Sequence, residues 1–191
     1  MNIGIFSGSF NPIHIGHLIL ANYIAEFTEI EEVWFVVSPQ NPLKSGDNLS
    51  DEYIRLKMVE IALEKYTKLK VSDFEFSMPK PSYTIDTLNA LQARYPEHTF
   101  TLIIGADNWS YFENWKEHDK ILENYRLKVY PRLGYRISIP KKLMIRVEAL
   151  DSPIIEISST FIRENIKGGK DIRPFLPDNV YDYIAGNKLY K

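Results

Sequence analysis

The chain contains no cysteine among its 191 residues. This absence excludes disulfide bonds, thiol catalysis and thiolate metal sites at once. The chain also lacks any apolar run near the roughly 18 residues that a membrane-spanning helix needs. Its first residues show no basic stretch of the kind that opens a signal peptide. We therefore expect a cytoplasmic protein that has no disulfide bond and no membrane segment.

A surplus of charge is lacking as well. Lys and Arg number 23 and Asp and Glu number 25, which leaves a formal net charge of −2. A broad nucleic-acid-binding face would show a basic excess, so we expect no nucleic-acid partner, whereas a small nucleotide needs only a local cluster of donors. The apolar fraction of 45% is ordinary for a globular protein, and the length predicts one domain over residues 1–191.

Strand and helix patterns alternate along the chain. Seven strands are predicted, at residues 2–6, 33–37, 69–75, 100–104, 126–130, 144–149 and 154–157. Six helices are predicted, at residues 16–28, 51–66, 84–95, 118–124, 159–167 and 178–185. Continuous apolar runs such as Val33–Val37 are typical of parallel strands that are buried on both faces. The alternation predicts an α/β fold, a single doubly wound domain with a mainly parallel sheet, in which ligands bind beyond the carboxyl ends of the strands.

The most informative stretch is His14-Ile15-Gly16-His17, which holds two of the four histidines in the chain. It follows the first predicted strand and the loop Ser7–Pro12, and it leads into an apolar helix. Backbone N–H groups of such a loop and the positive end of the helix dipole favour a phosphate. Two alternatives stay open. The histidines could simply cap the helix, or they could belong to a zinc site, which would need a third and a fourth ligand.

Polar residues follow several other predicted strands. Lys44 lies in a loop stiffened by prolines, where it either reaches a phosphate or is an ordinary solvated lysine. Ser82 or Thr84 can cap the following helix, whose first N–H groups could instead hold an anion. Asp107 lies just past a strand end and is placed to accept hydrogen bonds from ribose hydroxyls. Ser50 is the candidate N-cap of the helix that follows it.

Two further signals suit a nucleotide ligand. Trp115 lies in a strongly polar segment, where its ring either stacks on a flat heterocycle or packs against the domain. Ser158, Ser159 and Thr160 open a predicted helix, and Arg163 follows one turn later. This second cluster is either a helix cap or an anion site in which a guanidinium grips phosphate oxygens. Two phosphate sites at two strand–helix junctions would suit a polyphosphate.

Together these motifs resemble the nucleotidyltransferase superfamily that carries a His-x-Gly-His sequence, and within it the bacterial nicotinate-nucleotide adenylyltransferases. The resemblance covers essentially the whole chain, and it is carried by Gly8–His17, Ser82–Leu88, Gly105–Asp107, Trp115, Ile157–Thr160 and Arg163. The chain departs from the family pattern at three positions. Ser7 replaces a glycine, Asn11 replaces an aspartate, and Leu43 stands where a histidine is frequent.

The resemblance implies transfer of AMP from ATP to the 5′-phosphate of nicotinate mononucleotide, with Mg²⁺ bridging the ATP oxygens. It implies catalytic roles for His14, His17, Lys44 and Arg163. It implies that ATP contacts those two histidines and Arg163, together with Gly8, Ser9, Phe10, Gly105, Asp107, Ile157, Ser158 and Ser159. It implies that the mononucleotide contacts Lys44, Thr84, Trp115 and Lys116.

The family scheme also implies individual roles. His17 would lie nearest the charge that develops in the transition state, and Arg163 would hold the β- and γ-phosphates of ATP. Trp115 would stack on the nicotinate ring. The N–H groups of Thr84 and Lys116 would hold the carboxylate of that ring.

Other functions remain as alternatives. Phosphopantetheine adenylyltransferases share both end motifs, although Tyr83–Leu88 and Gly105–Asp107 favour the pyridine-nucleotide branch. A class I aminoacyl-tRNA synthetase fragment shares the histidine motif, but this chain has no lysine-rich second motif and no basic surplus. A nucleotide-binding sensor without turnover is the alternative from a different class. A homo-oligomer is compatible with each of these functions.

Overall fold

The computed structural model describes residues 1–40 and 49–191. Within these ranges there are six strands: β1 (Asn2–Gly8), β2 (Glu32–Val37), β3 (Leu69–Ser72), β4 (Thr99–Gly105), β5 (Arg126–Tyr130) and β6 (Val147–Ala149). The same ranges contain seven α-helices: α1 (Ile15–Phe27), α2 (Glu52–Leu63), α3 (Thr84–Arg94), α4 (Ala106–Ser110), α5 (His118–Asn124), α6 (Ser159–Lys167) and α7 (Asp178–Gly186). None of these helices is long and apolar enough to cross a lipid bilayer.

The six strands form one sheet in the order β3-β2-β1-β4-β5-β6, and every neighbouring pair is parallel. At the centre of the sheet, Ile5 of β1 lies opposite Trp34 of β2 and Leu102 of β4. Parallel neighbours need crossover connections, and helices supply most of them. The predicted doubly wound α/β fold is therefore confirmed.

Helices cover both faces of the sheet, and each face has its own apolar core. On one face, Ile24 of α1, Met58 of α2 and Ile162 of α6 are buried in a common cluster. On the other face, Leu88 of α3 and Ile121 of α5 belong to a second cluster. Burial on both faces explains why the central strands read as continuous apolar runs in the sequence.

Residues 154–157 do not form the predicted strand. They run as an irregular segment whose Ile155 packs close to Gly16 at the start of α1. The last strand on this side of the sheet is β6, and Pro153, just before the segment, has no N–H to donate to a ladder along it. Of its three isoleucines, Ile155 lies against the start of α1, Ile157 packs against the cluster that contains Ile24, and Ile154 is exposed.

Two other predicted strands are shorter than expected. The strand predicted at 69–75 ends at Ser72, whose Oγ accepts the N–H of Phe74 at 3.3 Å as the chain enters a 3₁₀ turn. This side-chain bond competes with the ladder and ends it. The strand predicted at 144–149 begins only at Val147, after another 3₁₀ turn.

The predicted cap of α2 is off by one residue. Asp51, not Ser50, occupies the N-cap position, and its Oδ1 accepts the N–H of Tyr53 at 2.9 Å. A carboxylate is a stronger acceptor than a hydroxyl at a helix start, because it also complements the helix dipole. The helix ends at Leu63, three residues before the predicted end.

Gly4 of β1 gives a direct test of the packing between strand and core. A Cβ at Gly4 would lie 2.6 Å from Cδ1 of Ile103 and 3.1 Å from Cγ2 of Ile30. We predict that Gly4→Ala lowers the free energy of unfolding by about 1–3 kcal/mol, the usual cost of overpacking. Valine lacks Cδ1, so the same change should cost less in an Ile103→Val background. Urea unfolding of the four proteins measures this coupling, and equal costs in both backgrounds would contradict the packing explanation.

Candidate active site

The candidate site lies at the carboxyl edge of the sheet, where β1 and β4 are neighbours. From β1 the chain moves outward to β2 and β3, and it then returns to the other side of β1 to form β4. The loops that leave β1 and β4 therefore diverge and open a crevice between them. The helices α1 and α4 begin after these two strands and border the crevice.

His14 and His17 lie together at the start of α1. Their rings stack with centroids 3.6 Å apart and an interplanar angle of 22°. The backbone N–H of His14 donates to Nδ1 of His17 at 3.2 Å. This hydrogen bond assigns the proton of a neutral His17 ring to Nε2. The side chain of His17 thus caps the start of α1, as the capping alternative predicted. The same hydrogen bond determines that Nε2 is the nitrogen of His17 that can donate to a ligand.

His14 is buried and uncharged at neutral pH. It is 3% exposed, and this burial, together with the positive charge of Arg132, lowers the pKa of His14 to about 3. Its Nδ1 is buried and makes no hydrogen bond to another described residue. The histidine pair therefore does not offer two cations to an anion, and its contribution is hydrogen bonding.

The loop before the histidines is held by the side chain of Phe10. This residue adopts a left-handed φ of 45°, and its ring is buried with its centroid 5.2 Å from that of His17 and 5.3 Å from that of Phe35. A Cβ at Gly8 would lie 3.0 Å from the same ring, so glycine leaves room for it. Phe10 thus offers a ligand its backbone and keeps its ring in the core. The Oγ of Ser9 is buried without a hydrogen-bond partner in the described ranges.

Helix α6 brings the second predicted cluster against the same loop. Ser158 caps the helix, since its Oγ accepts a backbone N–H at 3.1 Å. Ser159 Oγ donates to the carbonyl of Pro12 at 2.8 Å. Arg163 Nη1 donates to the carbonyl of Asn11 at 2.8 Å. The two clusters, far apart in the sequence, therefore touch in the fold.

A small cavity opens beside the two histidines, and we call it the histidine cavity. Its lining includes His14, Gly16, His17, Arg132 and Ile157. The segment after β6, which was expected to form a seventh strand, closes one side of this cavity with Ile155 and Ile157. Four of these five residues belong to the predicted motifs.

Arg132 is a charged lining residue that the sequence did not identify, and the aromatic Tyr130 is a second lining residue that it missed. The guanidinium carbon of Arg132 lies 5.3 Å from the ring centre of Tyr130, and its Nε lies 3.8 Å from Oδ1 of Asp107. Its position, two residues past the carboxyl end of β5, could have identified Arg132 from the sequence. That is the edge at which ligands bind in this type of sheet.

A larger cavity adjoins the first, and we call it the tryptophan cavity. Its lining includes Thr84, Gly105, Trp115 and Lys116, all of which are predicted site residues. Tyr130 lines both cavities. The predicted residues are therefore divided between two neighbouring spaces that share one aromatic wall.

Trp115 and Lys116 reach this cavity with partners of their own. The Trp115 ring packs at a tilt against Phe112, with centroids 5.3 Å apart, and its Nε1 is buried without a hydrogen-bond partner among the described residues. Lys116 Nζ lies 2.8 Å from Oδ2 of Asp86 and 4.8 Å from the ring centre of Tyr83. The exposed lysine thus links the turn at residue 116 to the start of α3.

Neither Ser82 nor Thr84 caps α3, so the capping alternative is not the one that the structure shows. Tyr83 occupies the N-cap position without a side-chain hydrogen bond among the described residues, and Thr84 is the first residue of the helix. The hydroxyl of Ser82 donates instead to the buried Glu75 at 2.6 Å, and Thr87 donates to the other carboxylate oxygen at 2.9 Å. The start of α3 therefore borders the tryptophan cavity without a side-chain cap.

Gly105 ends β4 in a crowded place. A Cβ there would collide with Oδ1 of Asp107 and would lie 3.0 Å from the ring of Tyr130. A larger residue at this position would require the Asp107 carboxylate to rotate away and the Tyr130 ring to shift. The linings of the two cavities do not include Asp107, which faces Arg132. The predicted contact of Asp107 with a ribose stays a prediction.

Lys44 and Leu43 lie outside the described residues. In residues 1–40 and 49–191 no group of three or more histidine, aspartate or glutamate side chains is arranged to hold a metal ion. The zinc alternative for the histidine pair thus finds no further ligands in that part of the chain.

Comparison with known proteins identifies relatives over the whole length. The model of the cytidylyltransferase-like family matches residues 5–165. A Bacteroides fragilis protein named "Probable nicotinate-nucleotide adenylyltransferase" is 54% identical over 181 residues, which cover 95% of this chain and 90% of that protein. A Flavobacterium johnsoniae protein of the same name is 48% identical over 192 residues and covers 100% of both chains.

Solved structures show the same fold. The Plasmodium falciparum nicotinic acid mononucleotide adenylyltransferase complexed with NaAD superposes with a TM-score of 0.83 at 24% identity, covering 99% of this chain and 97% of that one. The same enzyme complexed with APC gives a TM-score of 0.82 at 23% identity, covering 99% and 96%. At this level of identity the likeness concerns the fold.

The family model covers well over half of the chain, and the bacterial relatives match it from end to end. The His-x-Gly-His motif and the α6 cluster, on which the resemblance depends, meet at one edge of the sheet. The chain belongs to the cytidylyltransferase-like family and, within it, to the nicotinate-nucleotide adenylyltransferases.

Proposed function

We propose that this chain transfers the adenylyl group of ATP to the 5′-phosphate of nicotinate mononucleotide, giving deamido-NAD and pyrophosphate in NAD biosynthesis. The observation that carries the proposal is the pair of cavities that meet at Tyr130. One contains donors for anions, and the other contains an aromatic ring and a helix start. Relatives at 48% and 54% identity bear the name of this activity.

The reaction requires alignment more than proton transfer. A phosphate oxygen of the mononucleotide forms a bond to the α-phosphorus of ATP, while the bond from that phosphorus to the leaving oxygen breaks. Pyrophosphate departs with the electron pair of the broken bond. The attacking phosphate is already an anion, so no general base is needed. The protein contributes by placing two anions in line and by stabilising the charge that develops.

His17 is the residue that we propose to meet this developing charge. The N–H of His14 occupies its Nδ1, which leaves Nε2 as the donor nitrogen. The ring of His14, stacked at 3.6 Å, limits rotation of the His17 ring. A donor that is oriented before the substrate arrives loses little free energy to reorganisation during the reaction.

The β- and γ-phosphates of ATP are assigned to the cations around the loop Gly8–Phe10. Arg163 and Ser159 already donate to carbonyls near this loop, so a phosphate bound there lies within their reach. Arg132 approaches from the other side, through the histidine cavity. A guanidinium can hold two phosphate oxygens with parallel N–H bonds. Lys44 is proposed from the sequence to add a further charge.

The mononucleotide is assigned to the tryptophan cavity. The ring of Trp115 would stack on the nicotinate ring, and the N–H groups of Thr84 and Lys116 would hold the ring carboxylate. A helix start favours an anion, so α3 favours the carboxylate of nicotinate over the neutral amide of nicotinamide. Asp107, near the exit of β4, is proposed to accept hydrogen bonds from a ribose.

Mg²⁺ is the metal that we propose to accompany ATP, where it would neutralise part of the phosphate charge. Proteins seldom enclose this ion in a cage of their own side chains, because it keeps water and is bound largely through substrate phosphates. The residues at this crevice fit that mode, since no dense carboxylate group occurs among the described residues. Phosphate oxygens and water would therefore be its main ligands.

The broader predictions from the sequence belong to the same proposal. Residues 1–191 act as one nucleotidyltransferase domain, and helices from both halves of the chain share the larger core. The enzyme works in the cytoplasm, where its nucleotide substrates are found. Assembly into a homo-oligomer is compatible with this activity.

A pyrophosphate-release assay with ATP, Mg²⁺ and each candidate acceptor tests the proposal. We expect release with nicotinate mononucleotide, much less with nicotinamide mononucleotide and none with phosphopantetheine. Mass spectrometry should identify the dinucleotide. Release with phosphopantetheine alone would contradict the assigned acceptor, and ATP binding without release from any acceptor would favour the sensor alternative.

The assigned role of His17 predicts a loss in turnover. His17→Ala should lower kcat by about 10²–10³-fold, the scale for losing one preorganised donor. The matched control is His98→Ala, because His98 precedes the amino end of β4, at the opposite edge of the sheet. Steady-state kinetics of both variants decide the point. A loss of less than a few-fold in His17→Ala would remove this residue from its role.

The stacking role of Trp115 predicts a change in KM. Trp115→Ala should raise KM for the mononucleotide by about 5- to 100-fold, the range for losing one stacked ring, and should leave KM for ATP nearly unchanged. Trp109→Ala is the control, since this ring also packs on Phe112, with centroids 5.3 Å apart, but is not part of the tryptophan-cavity lining. An unchanged mononucleotide KM in Trp115→Ala would disprove the stacking.

A further inference from the structure

Arg55 of α2 is a charged residue that is completely buried. It is 0% exposed. Together with Met58, Val59 and Ala62 it forms the buried stripe of the helix, at the spacing expected for an apolar face. A guanidinium is out of place on such a stripe, since burying a charge costs free energy unless hydrogen bonds replace its water.

Four hydrogen bonds to backbone carbonyls replace that water. Nε of Arg55 donates to Ser50 at 2.8 Å, and Nη2 donates to Pro39 at 2.9 Å. Nη1 donates both to Ser9 at 2.8 Å and to Ser38 at 2.7 Å. These carbonyls belong to the loop after β1, to the residues that follow β2 and to the residue before the cap of α2. Arg55 thus joins three segments at the carboxyl edge of the sheet.

Stability alone is a weak explanation for this arrangement. Among the described residues, every acceptor of an Arg55 hydrogen bond is a neutral backbone carbonyl. Burial lowers the pKa of Arg55, an effect that the nearby Glu52, Tyr190 and Asp51 oppose. A buried cation without a hydrogen-bonded carboxylate contributes little net stability. A rigid planar fork with five donors, however, is well suited to holding several carbonyls in fixed positions.

The bond to Ser9 sets the direction of the peptide that joins it to Phe10. In a trans peptide the carbonyl and the following N–H point in opposite directions. A Ser9 carbonyl held by Arg55 therefore turns the N–H of Phe10 away from Arg55. The φ of 45° at Phe10 is unfavourable for a residue with a Cβ. Such a conformation persists only where surrounding contacts hold it, and the Arg55 bond is one of them.

The next residue of the loop is held from other directions. Tyr190 donates to Oδ1 of Asn11 at 2.7 Å, and Arg163 donates to the carbonyl of Asn11 at 2.8 Å. Arg163 belongs to α6 and Tyr190 follows α7, so these two parts of the chain hold the loop as well. Arg55 fixes it on the side of α2, where the residues after β2 are also held.

We infer that Arg55 is a positioning residue for adenylyl transfer, because its bonds to carbonyls hold the loop Gly8–Asn11 with N–H groups available to a phosphate of ATP. The inference rests on the proposed function, since it takes this loop as part of the ATP site. Arg55 does not itself touch a substrate; it acts through Ser9 and Phe10.

Arg55→Lys tests the inference, because lysine keeps the charge but lacks the planar fork. We expect KM for ATP to rise about 10- to 100-fold, the range for a displaced binding group, and to rise more than KM for nicotinate mononucleotide. Calorimetry with α,β-methylene ATP should show a similar loss of affinity without turnover. Circular dichroism and Tm establish that the variant is folded at the assay temperature.

Leu63→Ala is the matched control. Leu63 is buried on the same helix, but it lies about 12 Å further along the axis. We expect this variant to lose at least as much Tm as Arg55→Lys and to keep its KM for ATP. A rise in KM that is equal in both variants, or an unchanged KM in Arg55→Lys, overturns the inference.

A measurement on the unaltered protein decides the matter if Arg55→Lys does not fold. Coupling is reciprocal, so an ATP analogue that needs this loop conformation must in turn strengthen the Arg55 bonds. We expect α,β-methylene ATP to slow hydrogen exchange at the Nε–H of Arg55 and at the amide of Phe10 together, as measured by NMR. Protection of Phe10 with no change at Arg55 overturns the inference. Binding of the analogue, combined with no pyrophosphate release from ATP itself in the presence of any acceptor, would overturn only the proposed function.

Discussion

The site depends on one topological constraint, the reversal of strand order at β1. This strand lies between β2 and β4, and all three run parallel. Loops that leave β1 and β4 therefore start at the same edge of the sheet and turn to opposite faces, where their helices enter different cores. The opening between the loops is long enough to contain two cavities that share Tyr130. Only this strand order brings the histidine motif near the segment that contains Trp115, although the two are far apart in the sequence.

The charges at this edge are arranged in a way that the overall composition does not reveal. The chain has a net charge of −2, yet Arg55 and Arg163 both donate to backbone carbonyls near the loop before α1. A carbonyl satisfies the donors of a guanidinium without cancelling its charge, whereas a carboxylate does both. Positive potential therefore persists at the edge of the sheet where we propose that phosphates bind. The same two side chains organise the loop and supply charge next to it.

The local sequence pattern was sufficient to predict the fold and many of the site residues. It was insufficient for residues whose role depends on contacts with parts of the chain that are distant in sequence. Buried parallel strands such as β2 produce continuous apolar runs, which any reading of the sequence detects. The partners of Arg55 are backbone carbonyls, which every residue has, so no motif encodes them. Its one signal was a charged residue at an apolar helical position beside Met58. Residues 154–157 gave a wrong strand prediction for the opposite reason. Ile155 contacts α1 and Ile157 packs against the core without pairing in the sheet, and the residue before the segment is Pro153.

At this site the stacked histidines orient a hydrogen-bond donor, whereas the positive charge is carried by other residues. A ring distance of 3.6 Å is unfavourable for two positive charges, and burial together with Arg132 lowers the pKa of His14 to about 3. The backbone of His14 meanwhile orients His17 through Nδ1. The pair therefore offers a directed hydrogen bond and not a proton relay, which suits a nucleophile that is already an anion. Charge is left to arginines, whose protonation is constant in the physiological range. In the proposed reaction His14 thus orients His17, and Arg132 and Arg163 bind the phosphates.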